Sequence, residues 1–345
     1  MFGVIAFMAA AITVAAIVII PPPKHTLQEE GASIKSSVDW PGAFLVTAGL
    51  LALLFALTQG NVVGWSTPWI PVLIVVSVAL VVLFVLWQRY LERTGKQTPL
   101  MKVSVFKSKR FSAAMVIMAL FFSSFNGFLV YATFFYQDYQ GLSTLDTTLR
   151  FIPTGVAGVI TALIVSQLLA RVPTYLMLGF GNFCVAISSL LFAVPIPSDT
   201  TYWAYGFPAM VISVFGADTA WPSLILFTSH SLSQADQGIG GGLVNAMGQI
   251  GRSIGLAVAT AMQTAVMAKA RGVDVEVVGP VKEWDEPSLL GLRAANWWNF
   301  ALGLTSFSVV LLAFRGSGIV GKMEAKKEET APSQNVRADE GDVEK

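Results

Sequence analysis

Three polar residues in the segment "GLVNAMGQIGRSIGLAVATAMQTAV" (242–266), Asn245, Gln249 and Arg252, are spaced by four and then three positions. That spacing puts all three on one face of a helix. The segment is long enough to cross a bilayer, where a guanidinium near the centre costs at least about 2.5–3.5 kcal/mol. The preceding apolar segment, "WAYGFPAMVISVFGADTAWPSLILFT" (203–228), carries a carboxylate, Asp218. A carboxylate and an arginine at membrane depth offer charge pairing and reversible proton binding. The competing reading is a purely structural ion pair. Counted from the loop that joins them, Asp218 lies about 15 Å deep and Arg252 about 21 Å deep at 1.5 Å per residue. A downward-pointing arginine covers most of that difference, so the two are expected to pair. The alternative is that Arg252 reaches backbone carbonyls or a carboxylate in a second half of the molecule.

These residues require membrane helices to position them. Of the 345 residues, 54% are hydrophobic and only 12% are charged, about half the charged share of a soluble protein. Nine apolar spans of about 17–30 residues are expected: 2–20, 42–58, 69–91, 112–137, 149–169, 175–194, 203–228, 238–267 and 297–314. Proline-rich breaks and charge clusters separate them. Trp40, Trp65, Trp69, Trp203, Trp297 and Trp298 fall at span ends, as an interfacial belt does. The fold class is therefore an all-α polytopic membrane protein with nine transmembrane helices.

The basic residues orient the chain. With the C-terminus inside, the cytoplasmic loops and tail hold 16 of the 22 Lys and Arg residues and the outer loops hold 5. The excess predicts an external N-terminus and a cytoplasmic C-terminus. The expected organisation is a first membrane helix (1–20), a cytoplasmic loop (21–41), two central membrane helices (42–91), a basic cytoplasmic linker (92–111), a six-helix bundle (112–315) and a disordered cytoplasmic tail (316–345). An external Met1 without a charged leader is accounted for most simply if residues upstream are missing and the chain is the C-terminal part of something longer. In the outer loop before the last span, "EVVGPVKEW" and "EPSLLGL" are expected to form a short surface helix or two.

Further polar residues lie within the spans: Asn126 and Tyr131 in the fourth, Gln167 in the fifth. In membrane helices such groups serve as interhelical glue about as often as they bind ligands. Gly241, Gly248, Gly251 and Gly255 share one face of the eighth span, and Pro153, Gly155 and Gly158 mark the fifth. Both sets predict close helix packing. One cysteine, Cys184, and two histidines, His25 and His230, leave no intrachain disulfide and little for a metal centre. No catalytic residues, cofactors, metals or nucleic-acid partners are expected.

Two stretches carry a family resemblance: "RFIPTGVAGVITALIVSQLLARVPTYLMLGFG" (150–181) and "DQGIGGGLVNAMGQIGRSIGLAVAT" (236–260). The chain resembles the C-terminal two-thirds of a major facilitator superfamily transporter, of the fungal fourteen-helix drug:proton antiporter type. The resemblance implies that spans four to nine are the C-terminal bundle and that the first five helices are absent. It implies that spans four, five, seven and eight line a central cavity, with Asn126, Tyr131, Gln167, Asp218, Asn245, Gln249 and Arg252 as substrate or coupling candidates. Spans six and nine, apolar apart from Asn182 and Asn299, would face lipid. The family's first-bundle loop motif and its Gly-Pro antiporter motif do not occur here, and the second-bundle loop motif is reduced to "SQLLARVPTY", keeping Arg171.

The function these expectations imply is proton-coupled export of a small organic compound, such as a drug, toxin or secondary metabolite. The partners are that substrate, protons and the bilayer, with a missing N-terminal half or a second copy to complete the cavity. The plasma membrane is the expected location, the vacuolar membrane the alternative. A truncated fragment with no transport of its own is the second reading. A membrane enzyme fares poorly, since no nucleophile–base pair or phosphate loop is visible, and nine spans do not favour a receptor.

Overall fold

The computed structural model describes residues 7–10, 12–13, 39–95, 97, 99–197, 199–232, 237–316 and 318–319. Residues 1–37 and 38–345 form two compact units. In the first, the helical residues 7–10 and 12–13 are labelled α1. The rest of the expected first span lies outside the described residues, as does the expected tail beyond residue 319.

The second unit holds eight long helices: α2 (Trp40–Val63), α3 (Trp69–Thr94), α4 (Lys109–Phe134), α5 (Thr144–Leu168), α6 (Thr174–Ala193), α7 (Tyr202–His230), α8 (Gln237–Arg271) and α9 (Glu286–Ala313). Among the described residues there is no strand. The protein is a polytopic membrane protein. Helices α2 to α7 are long and apolar enough to cross a bilayer. Polar residues dilute α8 and α9, yet both pack into the same bundle, against α4 and against each other.

Local chemistry sets the helix ends. Asp39, Ser108, Ser143 and Asp285 cap α2, α4, α5 and α9 by accepting from backbone N–H groups of the first turn. The Ser143 cap is reinforced by its hydroxyl donating to Asp146, 2.6 Å away. Gly95, with φ of 61°, closes α3 and donates its N–H to Leu91. The α9 cap explains a difference from the sequence reading: "EPSLLGL" forms the first turns of α9 itself. Hydropathy detects where the apolar stretch begins, whereas Asp285 starts the helix eleven residues earlier, counting from Trp297 to Glu286.

Small residues decide which helices meet. At the α6–α7 crossing, a Cβ built on Gly216 would sit 2.6 Å from the Gly181 carbonyl oxygen, so only glycine fits. On α8, Gly251 abuts the backbone of Ala119 and Gly255 abuts Ser123, bringing α8 onto α4. Helix α5 leans chiefly on α7. Helices α2 and α3 pair with each other, and α2 also reaches α8.

Helix α6 leaves one apolar stripe, Leu176, Phe180 and Phe183, exposed and is otherwise enclosed by α7 and α9. Of its most apolar stretch, 67% is buried, against 17% for α5. Gly181, Ala186, Ser188 and Ser189 are small enough for α7 and α9 to close over it. Asn182 is fully buried, and its Oδ1 accepts from the Ser306 hydroxyl of α9 at 2.6 Å. It therefore joins two helices where the sequence suggested an isolated polar residue.

Candidate functional site

Helix α8 presents three different faces. Gly248, Gly251 and Gly255 meet α4. Leu243, Ala246, Met247 and Ile250 turn toward α2 and α3. Asn245, Gln249 and Arg252 lie together on a third, exposed face. Neither Gln249 nor Arg252 hydrogen-bonds or ion-pairs with any described residue, while Asn245 donates only to the carbonyl of Gly241 in its own helix, at 3.0 Å. In a bundle this apolar, an exposed stripe of polar groups with no partner on another described helix marks either a second protein surface or a water-filled path.

Opposite charge is close by, but not in contact. Asp218 on α7 is half-buried beside Gly158 of α5, and a Cβ built on that glycine would lie 3.3 Å from its Oδ2. Asp218 has no hydrogen bond or ion pair among the described residues. One turn along α7, Trp221 packs edge-on against Phe122 of α4, with ring centroids 4.7 Å apart. One turn along α4 from Phe122 is the half-buried Asn126, whose amide donates to the Phe122 carbonyl at 3.1 Å. Asn126 and Asp218 thus border the same aromatic contact.

The expected Arg252–Asp218 pair does not form. Contact of Gly251 with Ala119 sets Arg252 near the level of Leu120 on α4, whereas the Phe122–Trp221 contact sets Asp218 near Phe125. The two backbones are therefore offset by about 7 Å along the bundle, at 1.5 Å per residue. Side chains lean toward the N-terminus of their own helix. On helices that run in opposite directions this carries the two groups apart. Counting depth from the connecting loop assumed that α7 and α8 start level, and the glycine contacts with α4 fix a different register.

The other residues singled out by the sequence are dispersed. Tyr131 is fully buried in an aromatic cluster with Phe128, Phe135, Tyr136 and Phe192, and its hydroxyl meets that of Thr260 on α8 at 3.2 Å. Gln167 is exposed near the end of α5, without a hydrogen bond among the described residues. It lies nine residues from Gly158, about 14 Å along the helix. Among the expected packing positions, Gly158, Gly248, Gly251 and Gly255 lie at helix contacts, and Pro153 is accommodated inside α5. Gly155 and Gly241 differ from the expectation, since a Cβ on either would meet nothing within 4 Å. Each sits on a side of its helix that no described neighbour covers.

Two polar clusters escaped the sequence reading. Arg150 lies over the rings of Tyr136 and Tyr202, at 4.9 and 5.4 Å, and donates to Gln140 at 2.7 Å. This ties α5 to α7 and to the π-helical turn Phe135–Tyr139. Asp39 accepts from Trp87 at 2.9 Å and Gln88 at 2.6 Å, and Gln88 in turn accepts from the Met101 N–H at 3.1 Å. Burial pushes the Asp39 carboxyl up, but these hydrogen bonds and that from Gly42 outweigh it and hold the group below its usual range. The capping position of Asp39 before "WPG" was a legible signal; its long-range partners were not.

Residues 1–256 match the family model described as Major Facilitator Superfamily. The chain belongs to the major facilitator superfamily. It is 31% identical over 244 residues to an uncharacterized MFS-type transporter of Mycobacterium tuberculosis, covering 70% of this chain and 41% of that protein. It is 27% identical over 265 residues to the low affinity ammonium transporter of Saccharomyces cerevisiae, covering 76% and 50%. It is 25% identical over 315 residues to the efflux pump terJ of Aspergillus terreus, covering 91% and 56%. The chain spans about half the length of the curated relatives it matches. Its fold and family are those of membrane transport proteins, not of enzymes.

Proposed function

We propose that the chain contributes to proton-coupled export of small organic compounds across the plasma membrane. The observation that carries this reading is the half-buried Asp218, without a partner among the described residues, bordering the same bundle as the exposed Asn245–Gln249–Arg252 face. A carboxylate with no fixed counter-charge can take up and release a proton as its surroundings open and close. The α8 face supplies hydrogen-bonding groups and one positive charge to a substrate. The similarity to efflux pump terJ supports export as the direction. The basic bias in the sequence supports a cytoplasmic linker at 92–111 and a cytoplasmic C-terminus.

A second reading is favoured by the openness of the α8 face: the 345-residue chain transports nothing until a second bundle, from another chain or a second copy, covers that face. Expression in a yeast strain lacking its own drug pumps separates the two. Resistance together with proton-driven dye efflux from the chain alone supports the first. Efflux only on co-expression of a partner bundle supports the second, and no efflux in either case refutes both.

A further inference from the structure

We infer that residues 279–284 of the α8–α9 loop form a strap over the π-helical turn Phe135–Tyr139, and that this strap lifts while the bundle stays folded. The strap lies at the end of the bundle opposite the basic linker. The Trp284 N–H donates to the Tyr139 carbonyl at 3.0 Å, and the indole lies against the Tyr139 ring with centroids 5.6 Å apart. Beside this contact the Glu283 carboxylate rests on Gly141, where a Cβ would come within 2.7 Å of the carboxyl carbon. The strap thus couples the α8–α9 pair to the chain just beyond α4.

Arg271, in the last turn of α8, holds the closed shape. Its guanidinium donates to the carbonyls of Val278 and Pro280, pairs with Asp285 and donates to the Ser288 hydroxyl at 2.9 Å. That hydroxyl oxygen also accepts from the Lys282 N–H at 3.0 Å. Trp284 is caught between these fixed points in a left-handed conformation, with φ of 53°, the one non-glycine residue with positive φ among the described residues. A bulky side chain stays in that region only where its surroundings impose it. Apolar packing beyond the Tyr139 ring rests on Val281, while Trp284 is 56% exposed. Gly279, with φ of 70°, has open space around it, so the chain can turn there. A segment kept in place by a few polar contacts near the surface opens before the helices it joins. Lifting relieves the Trp284 backbone and uncouples the end of α4 from α8 and α9. Arg271 is the positioning residue that opposes it.

Hydrogen exchange of the purified full chain in mild detergent, read at single amides by mass spectrometry, tests this without a transport assay. In the parent, the Trp284 and Lys282 amides should exchange at least about tenfold faster than amides in the middle of α6, because their opening does not require the bundle to open. Arg271→Gln removes the ion pair and most of the loop's anchors, and should speed those two amides by a further factor of about ten with α6 unchanged. Gly141→Ala disturbs the strap from the opposite side, through Glu283 and the positive φ of 66° at that position, and should speed the same amides. Local acceleration in either variant supports the strap. Trp284 protection equal to that of α6 in the parent would overturn the inference. So would unchanged exchange in both variants, or acceleration of α6 by the same factor as Trp284 in both.

Discussion

Replacing Gly251 with alanine adds one methyl group where α8 touches α4, and the consequence follows from which atoms it meets. The nearest atoms are the backbone of Ala119, not the far end of a side chain, so no rotamer change relieves the clash. The helices must separate or shift. Overpacking of this kind typically costs about 1–3 kcal/mol, which changes an unfolding equilibrium by about fivefold to a hundredfold. Gly255→Ala should cost less, since the Ser123 hydroxyl can rotate away and the nearest fixed atom is then the Ser123 Cβ at 2.8 Å, farther than the Ala119 backbone is from Gly251. Gly241→Ala is the control in the same helix. It meets nothing within 4 Å, and alanine's better helix propensity predicts a gain of up to about 1 kcal/mol. The three variants should therefore rank Gly241→Ala above Gly255→Ala above Gly251→Ala in unfolding of the purified chain by sodium dodecyl sulfate in mixed micelles. Equal midpoints for Gly251→Ala and Gly241→Ala would refute the claim that backbone contact at Ala119 sets the α4–α8 distance.

Three further outcomes are expected. Asp218→Asn should abolish pH-driven efflux in membrane vesicles bearing a transport-competent assembly while leaving expression and melting unchanged; retention of a full pH dependence would remove Asp218 from proton coupling. The folded-state pKa of Asp39 is lowered, so its contribution to stability is complete above the ordinary carboxylate value of 3.8 and is lost as pH falls through the folded value. Hydrogen exchange of the α2–α3 hairpin should accordingly rise at acidic pH in the parent and vary less in Asp39→Asn, and identical profiles would contradict this. Epitope tags in intact cells should find the N-terminus outside and the C-terminus inside, and detection of the C-terminal tag without permeabilisation would reverse the proposed topology.

The spans were legible because hydropathy follows the bilayer. Helices α3 and α6 were expected at 69–91 and 175–194 and occur at Trp69–Thr94 and Thr174–Ala193. Starts governed by caps were harder to read, because Asp285 begins α9 in a stretch with little apolar character. The shared face of Asn245, Gln249 and Arg252 followed from spacing alone, since 3.6 residues per turn fixes it. Their relation to Asp218 did not follow. It depends on the register between α8 and α4, set by single contacts at Gly251 and Gly255, and no residue count along one helix contains that information. The open surroundings of Gly155 and Gly241 teach the same point: a glycine permits close approach but does not name the neighbour.

The dependence of α5 on α7 also has a consequence for how the chain is made. Gly158 finds its neighbours Val214 and Asp218 only after about 60 more residues have been synthesised, some 3–12 s at the usual rate of 5–20 residues per second. During that interval α6 is already emerging, but α5 has no principal partner. Leu149, Ile152, Val156, Val159 and Leu163, all still exposed in the finished bundle, give the nascent helix a surface that lipid can solvate while it waits. A polar substitution along that stripe would act during this interval, lowering the yield of inserted protein even where the completed bundle tolerates it.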